Sequence, residues 1–336
     1  MRDRILVTIS APLIVAGLLA AALAVGQTPE GRKTARLATP KAATGKKWRT
    51  PWGDPDLQGS WSNSTTTPLE RPAKYAGRAL MTPEELAERR AAERAANAKR
   101  DDPGQPPSGF AWFEGGAPDG RTSLIYDPPD GKIPALTPEG QKRQADLNKN
   151  FQRARNNGPY DGPEDMEIRT RCFIRDPLPR VPGGYGNSYE IVQAPGAVAI
   201  YHEAIHDTRI IPLDRRPHLN PNVRQWFGDP RGHWEGDTLV VETTNFNDQT
   251  SFQASTQNLH LVERWTRTAD DRIDYTFTVS DPATWTKPWS AAIPWNKTGP
   301  LYEYACHEDN IDMYGILTGA RANDQKTTEA SKKGTK

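Results

Sequence analysis

The chain has 336 residues, enough for one large domain or two ordinary ones. Its 43 Lys and Arg against 42 Asp and Glu leave a formal charge of +1, which argues against a general nucleic-acid binder with a net basic face. With 35% hydrophobic residues and 30 prolines, much of the chain must be loop or extended arm, and the core is concentrated elsewhere.

Residues 1–26 read as an export signal. Arg2 and Arg4 form the basic n-region, an apolar run starts at Ile5, and Ala22-Leu23-Ala24 offers a small-residue cleavage pattern. An uncleaved anchor is the alternative, since the run approaches the ~20 residues of a membrane span. This segment is the one expected contact with a membrane. Residues 27–47 are basic and rich in Thr, Ala and Pro, a composition that buries no core and predicts a disordered linker. The two cysteines, Cys172 and Cys306, suit one disulfide in an oxidising compartment; two unrelated buried thiols are the alternative.

The ordered protein is expected over 48–320 as a single β-rich domain. A turn at Asp54-Pro55-Asp56 feeds a first strand near 59–64. A Pro-rich, α-helical insertion follows at about 73–168. Its first helix spans 82–99, with Thr82 as N-cap, Pro83 at the first helical position and Glu85 closing a capping box. Residues 101–109 break it. The second helix starts at Thr137-Pro138-Glu139 and runs to about Arg155, with Leu147 and Phe151 as its packing face. Strands are expected at 189–193, 197–202, 209–213, 259–267, 272–279, 284–293 and 301–306. Between them, 231–246 reads as a central hairpin turning at Glu235-Gly236-Asp237. The alternation of Ile273, Tyr275, Phe277 and Val279 with polar residues is the cleanest period of two. The fold class is therefore mainly β: an antiparallel, lipocalin-like barrel or strongly curved sheet, whose closure would remove exposed edges. A short closing helix is expected at 309–320, and 321–336 as a disordered tail.

Gly59-Ser60-Trp61 resembles the opening motif of lipocalin-type barrels. Asp56-Leu57-Gln58-Gly59-Ser60-Trp61, Asp127-Pro128-Pro129-Asp130-Gly131-Lys132-Ile133-Pro134, Arg231-Gly232-His233-Trp234-Glu235-Gly236-Asp237-Thr238-Leu239-Val240-Val241 and Tyr302-Glu303-Tyr304-Ala305-Cys306-His307-Glu308 together resemble a family of exported bacterial proteins. The resemblance spans most of the chain after the linker. It implies a periplasmic or secreted bacterial protein and brings no activity, cofactor or catalytic residue with it.

Candidate chemistry gathers in the β-rich half. His202-Glu203-Ala204-Ile205-His206 matches the zinc-protease pattern His-Glu-x-x-His, which needs a helix to turn both rings onto one metal. Its flanks read as strand, where positions four apart lie ~13 Å from each other. No cofactor is therefore expected, with zinc on His202 and His206 as the alternative. His202, His206, His218 and His233 crowd near Glu203, Arg209, Asp214 and Glu235, which suggests a polar site at a barrel mouth. Ordinary hydrogen-bonded loop histidines are the plainer explanation. Glu263 shares a strand face with Leu259, Leu261 and Trp265. A carboxylate there must pair with an arginine such as Arg209, Arg264 or Arg267, bind ligand, or be held neutral. Glu203 falls in the row of Ala197, Ala199 and Tyr201 and invites the same treatment. Glu203, His206, His233 and Glu263 are thus the candidate acid–base residues. Arg209, His218, Trp234, Trp265 and Trp289 are the candidate ligand contacts, with core packing as the alternative role of the tryptophans. Three functions follow as expectations: binding a small apolar or aromatic molecule inside the barrel; cofactor-free acid–base catalysis (lyase, isomerase or hydrolase) by His and Glu at its mouth; or zinc-dependent hydrolysis at residues 202–206.

Overall fold

The computed structural model describes residues 47–100, 114–155, 158–249, 251–308 and 310–334. The expected export signal and the linker up to residue 46 lie outside these, as does the break at 101–109. The chain divides after Lys41, and every described residue belongs to the second unit, Ala42–Lys336.

Among the described residues, ten strands form one antiparallel sheet: β1 (Gly59–Ser62), β2 (Ile125–Asp127), β3 (Ser188–Ala194), β4 (Ala197–His202), β5 (Thr208–Pro212), β6 (Asp229–Glu235), β7 (Thr238–Thr244), β8 (His260–Ala269), β9 (Arg272–Ser280) and β10 (Trp289–Lys297). Three α-helices accompany them among the described residues: α1 (Pro83–Arg100), α2 (Pro138–Arg155) and α3 (Ile311–Gly334). The hairpins follow from turn chemistry. Ala194 pairs with Ala197 around Pro195-Gly196, and Glu235 with Thr238 around Gly236-Asp237. In each case the glycine takes a positive φ, 82° at Gly196 and 61° at Gly236, where a side chain would be strained.

The strand order is β5-β4-β3-β1-β10-β9-β8-β7-β6, with β2 pairing β10 beside β1. Nine strands thus curl into a nearly closed barrel whose two ends, β5 and β6, face each other without a hydrogen-bonded ladder. Side chains close that seam. Ile211 and Leu213 lie so near the backbone of Gly232 that a Cβ there would come within 2.7 Å of both. Further along, Arg209 of β5 reaches over to donate to Thr243 Oγ1 of β7 at 2.6 Å.

Alternation sends every second residue inward. Leu261, Glu263 and Trp265 on β8, and Ile273, Tyr275, Phe277 and Val279 on β9, are all buried. They meet Trp61, Tyr189, Ile191, Ile200, Trp289 and Trp295 in a single core. Trp61, Trp265 and Trp289 are among its largest wholly enclosed side chains, the core role open to the tryptophans.

Several expected elements are corrected. The last barrel strand is β10, displaced toward the C-terminus from 284–293. Residues 301–306 form no strand; they run irregularly past the barrel wall. The insertion is not helical throughout, since β2 joins the sheet and Leu124 and Ile125 enter the core. Leu147 and Phe151 remain largely exposed, so they are not the packing face of α2. That helix docks by its first turns. Gly140 sits where a Cβ would fall 2.5 Å from the Thr284 carbonyl, and Arg143 donates to the carbonyls of Ala254 and Ala283. Residues 321–334 are helical rather than a disordered tail, continuing α3, which packs Met313, Ile316, Leu317 and Ala320 on Tyr160 and Met166. The capping box of α1 forms as expected, with Thr82 N–H donating to Glu85 and Glu85 N–H to Thr82.

Candidate functional site

The barrel interior is polar at one end. From β5, Arg209 pairs with Glu263 of β8 at 2.5 Å, and Tyr275 of β9 donates its hydroxyl to the other Glu263 oxygen at 2.9 Å. Glu263 is 1% exposed and Arg209 7%. Such a pair is poor evidence of stabilisation, because desolvating two charges offsets most of their attraction. Burial, with the Glu263 carboxylate beside it, pushes the Tyr275 hydroxyl well above its usual range, so it stays protonated and donating.

A second network lies next to it. Arg180, on the loop before β3, pairs with Asp207 at 2.5 Å. His202, the last residue of β4, is fully buried and holds its Nε2 2.6 Å from the Gly186 carbonyl. A carbonyl only accepts, so Nε2 carries the proton and Nδ1 presents a lone pair toward Asp207 Oδ2, 3.7 Å away. Burial is the main reason the imidazole is held neutral, reinforced by nearby Arg180 and opposed by Asp207. The His202 ring stacks on Tyr189 at 4.7 Å, and Tyr189 on Trp295 at 4.5 Å. Trp295 in turn touches Tyr275, and Tyr275 touches Trp265.

These aromatic and ionic side chains surround a partly open cavity of about 20 Å³, room for about one water. Its wall is Tyr189, Ile200, Arg209, Glu263, Trp265, Tyr275 and Trp295 from the strands, with Leu178, Arg180 and Phe227 from loops. The loop residues cover one side of this cavity as a cap. The Arg180 guanidinium lies 5.0 Å above the Phe227 ring, and Phe173 stacks on Trp226 at 5.4 Å. The disulfide Cys172–Cys306 ties down the start of the cap segment. Oxidation of these two cysteines is the pairing that one of the two sequence alternatives foresaw.

The candidate residues do not form one constellation. Arg209, Glu263 and Trp265 meet at the cavity. Trp289 is interior too, but packs among Phe252, Phe277 and Trp285. Trp234 is part-buried at the edge of the core. The row of Ala197, Ala199 and Tyr201 faces outward, and the inner row is Val198, Ile200 and His202. Glu203 therefore lies outside the barrel, where it accepts the Tyr302 N–H at 3.0 Å. His206 also lies outside, with Nδ1 3.3 Å from the Tyr304 carbonyl. Between His202 and His206 the chain turns through left-handed residues, φ 62° at Ile205 and 45° at His206. The two rings end on opposite sides of the wall, so the helical zinc-protease geometry is not made. His218 and His233 sit on the outer face of the sheet, bonded to Asp229 at 3.0 Å and to Glu235 at 3.1 Å. Among the described residues, no three His, Cys, Asp or Glu side chains gather as a metal-holding group.

A second, open depression of about 440 Å³ lies outside the wall, lined by Tyr201, His206, Leu301, Tyr302, Glu303, Tyr304 and Glu308. Sequence reasoning missed Arg180 and Asp207, which lie in loops, and Tyr189, whose strand position alone gave no sign of a site.

No family model and no curated protein matches the chain. Among solved structures, it is similar to a secretary abundant heat soluble (SAHS) protein from Ramazzottius varieornatus at 12% identity. That match covers 36% of this chain and 78% of the other, with a TM-score of 0.25, and a likeness so slight carries no weight for fold or function.

Proposed function

We propose that this is an exported bacterial protein that binds a small, apolar or aromatic molecule inside its barrel, beneath the cap. Export is supported by the basic and apolar pattern of residues 1–26 and by the disulfide, which suits an oxidising compartment. The carrying observation for binding is the Arg209–Glu263–Tyr275 network facing a cavity walled by aromatic rings. A barrel interior that served stability alone would be as well filled by apolar side chains, whereas binding sites combine apolar walls with a few placed polar groups. The cavity of about 20 Å³ is too small for an aromatic molecule, which needs on the order of 150 Å³. Leu178, Arg180 and Phe227 must therefore swing away as the ligand enters. The test is titration of the full chain with the neutral dye N-phenyl-1-naphthylamine. Saturable fluorescence enhancement is expected, weakened at least about tenfold by Ile200→Phe, which narrows the cavity. Enhancement that never saturates, or that ignores Ile200→Phe, would defeat interior binding.

A second reading, acid–base catalysis at the barrel mouth, is favoured by one observation. The Tyr304 carbonyl fixes the proton of His206 on Nδ1, leaving Nε2 as the lone-pair nitrogen of a ring that lines the open depression. A screen of ester and lactone turnover in which His206→Gln changes nothing would remove it.

A further inference from the structure

The chemistry of the ligand can be narrowed, provided the interior is the binding site as proposed above. Four cavity-lining residues carry a buried N–H with no hydrogen-bond partner: Arg180 and Arg209 at Nε, Trp265 and Trp295 at Nε1. All four residues are more than nine-tenths buried. Buried donors are nearly always satisfied in native proteins, so several orphans around one cavity are unusual. One water, with its pair of lone pairs, cannot serve all four. Among the acceptors, Glu263 accepts from Tyr275 and pairs with Arg209, and Asp207 Oδ1 accepts from Arg180; Glu263 Oε2 is the one cavity-lining oxygen among the described residues left without a hydrogen bond. Orphan donors in the wall thus outnumber the orphan acceptor four to one, and the wall asks chiefly for acceptor atoms.

Charge narrows the class further. Arg209 is balanced by Glu263 and Arg180 by Asp207, so the two guanidiniums bring no net positive charge. An anionic ligand would place an uncompensated charge in a low-dielectric interior, which is far costlier than burying a neutral carbonyl. Tyr189 stacks on Trp295, with the Tyr275 and Trp265 rings adjoining at a tilt, and these ring faces favour a flat body. We propose that the site takes a neutral, flat, aromatic or conjugated molecule bearing several carbonyl-type oxygens, such as a quinone, and that the orphan indole and guanidinium N–H groups hold those oxygens.

Three probes of similar shape separate the parts of this proposal: naphthoquinone, naphthalene, and naphthoate near neutral pH, where a carboxylate of ordinary pKa is ionised. Affinities for the full, oxidised chain are read by calorimetry. Naphthoquinone is expected to bind at least about tenfold more tightly than naphthalene, with naphthoate weakest. Replacing Trp265→Phe and Trp295→Phe together keeps flat rings but removes both indole N–H groups. This should erase most of the naphthoquinone preference over naphthalene, read as the ratio of the two affinities so that any loss of ring contact common to both probes cancels. Trp289→Phe, which removes an orphan N–H away from the cavity, should change neither. Equal affinity for naphthoquinone and naphthalene overturns the donor inference while interior binding stands. Tightest binding of naphthoate overturns neutrality. Binding of none of the three removes the inference and the binding reading together. If the double variant does not fold, the probe series on the unaltered chain decides.

Discussion

Arg209 and Glu263 illustrate how one buried pair constrains the rest. Each charge is tolerated only because the other stands at 2.5 Å, with Thr243 and Tyr275 each adding one hydrogen bond. Removing one partner strands the other. Glu263→Leu should therefore cost about 3–5 kcal/mol in denaturant unfolding, whereas the double change Arg209→Met with Glu263→Leu should recover most of it. A single variant as stable as the parent would mean that water reaches the pair. His202 makes a second, pH-dependent contribution. Burial lowers its pKa in the folded state below the ordinary value of about 6.5. The unfolded chain then binds the proton more readily, so this stabilisation is complete above that value and is lost as pH falls through the lower, folded pKa. The melting temperature should fall on mild acidification, and by less in His202→Gln, whose side chain does not titrate. Identical pH profiles would show that the ring is not held neutral.

Among the elements, the seam between β5 and β6 is the most exacting. Gly232 is there for closeness: Leu213 Cδ2 and Ile211 Cγ2 lie 2.6 and 2.7 Å from where a Cβ would be. Gly232→Ala should force those side chains off the seam and lower stability by about 1–3 kcal/mol, measured as a shifted unfolding midpoint. An unshifted midpoint would mean that the barrel ends are not closed by these contacts. The same glycine belongs to a run that, read as sequence, announces only a hairpin. Hairpins were legible because a Gly in a tight turn leaves a local mark, and because β9 keeps a strict period of two over its length. β2 was not legible, since three residues carry no period. Tyr302, Tyr304 and Cys306 alternate as a strand would, yet they are held by the disulfide and by Glu203 and His206 outside the sheet. At the site, Glu263 was legible as a carboxylate in an apolar row. His202 was not, because both rows of β4 are apolar enough to face inward and a one-residue slip exchanges them. Arg180 lies in a loop, where no periodicity points to a cavity.

The molecule as a whole is a wall and a cap, and the two should differ in how readily they open. The wall is cross-linked strand to strand around most of its circumference. The cap segment from Cys172 to Asn187 has no ladder. It is held by the disulfide at one end, by Arg180–Asp207 in the middle, and by the Glu114 carboxylate on the Gly186 and Asn187 amides at the other. The disulfide closes a sequence separation of 134 residues, worth about 5 kcal/mol in the chain-entropy model. Part of that constraint falls on the cap, because Cys172 begins it. Reduction should therefore loosen the cap before it loosens the barrel. In hydrogen exchange, amides of residues 174–187 should speed up by about tenfold on reduction, while those of β8 and β9 keep their protection. Association of N-phenyl-1-naphthylamine should quicken in step, since the ligand enters where Leu178, Arg180 and Phe227 stand. Exchange that rises equally across cap and barrel would mean that they open as one body. In that case the cap is no door to the interior, and access must come by way of the β5–β6 seam.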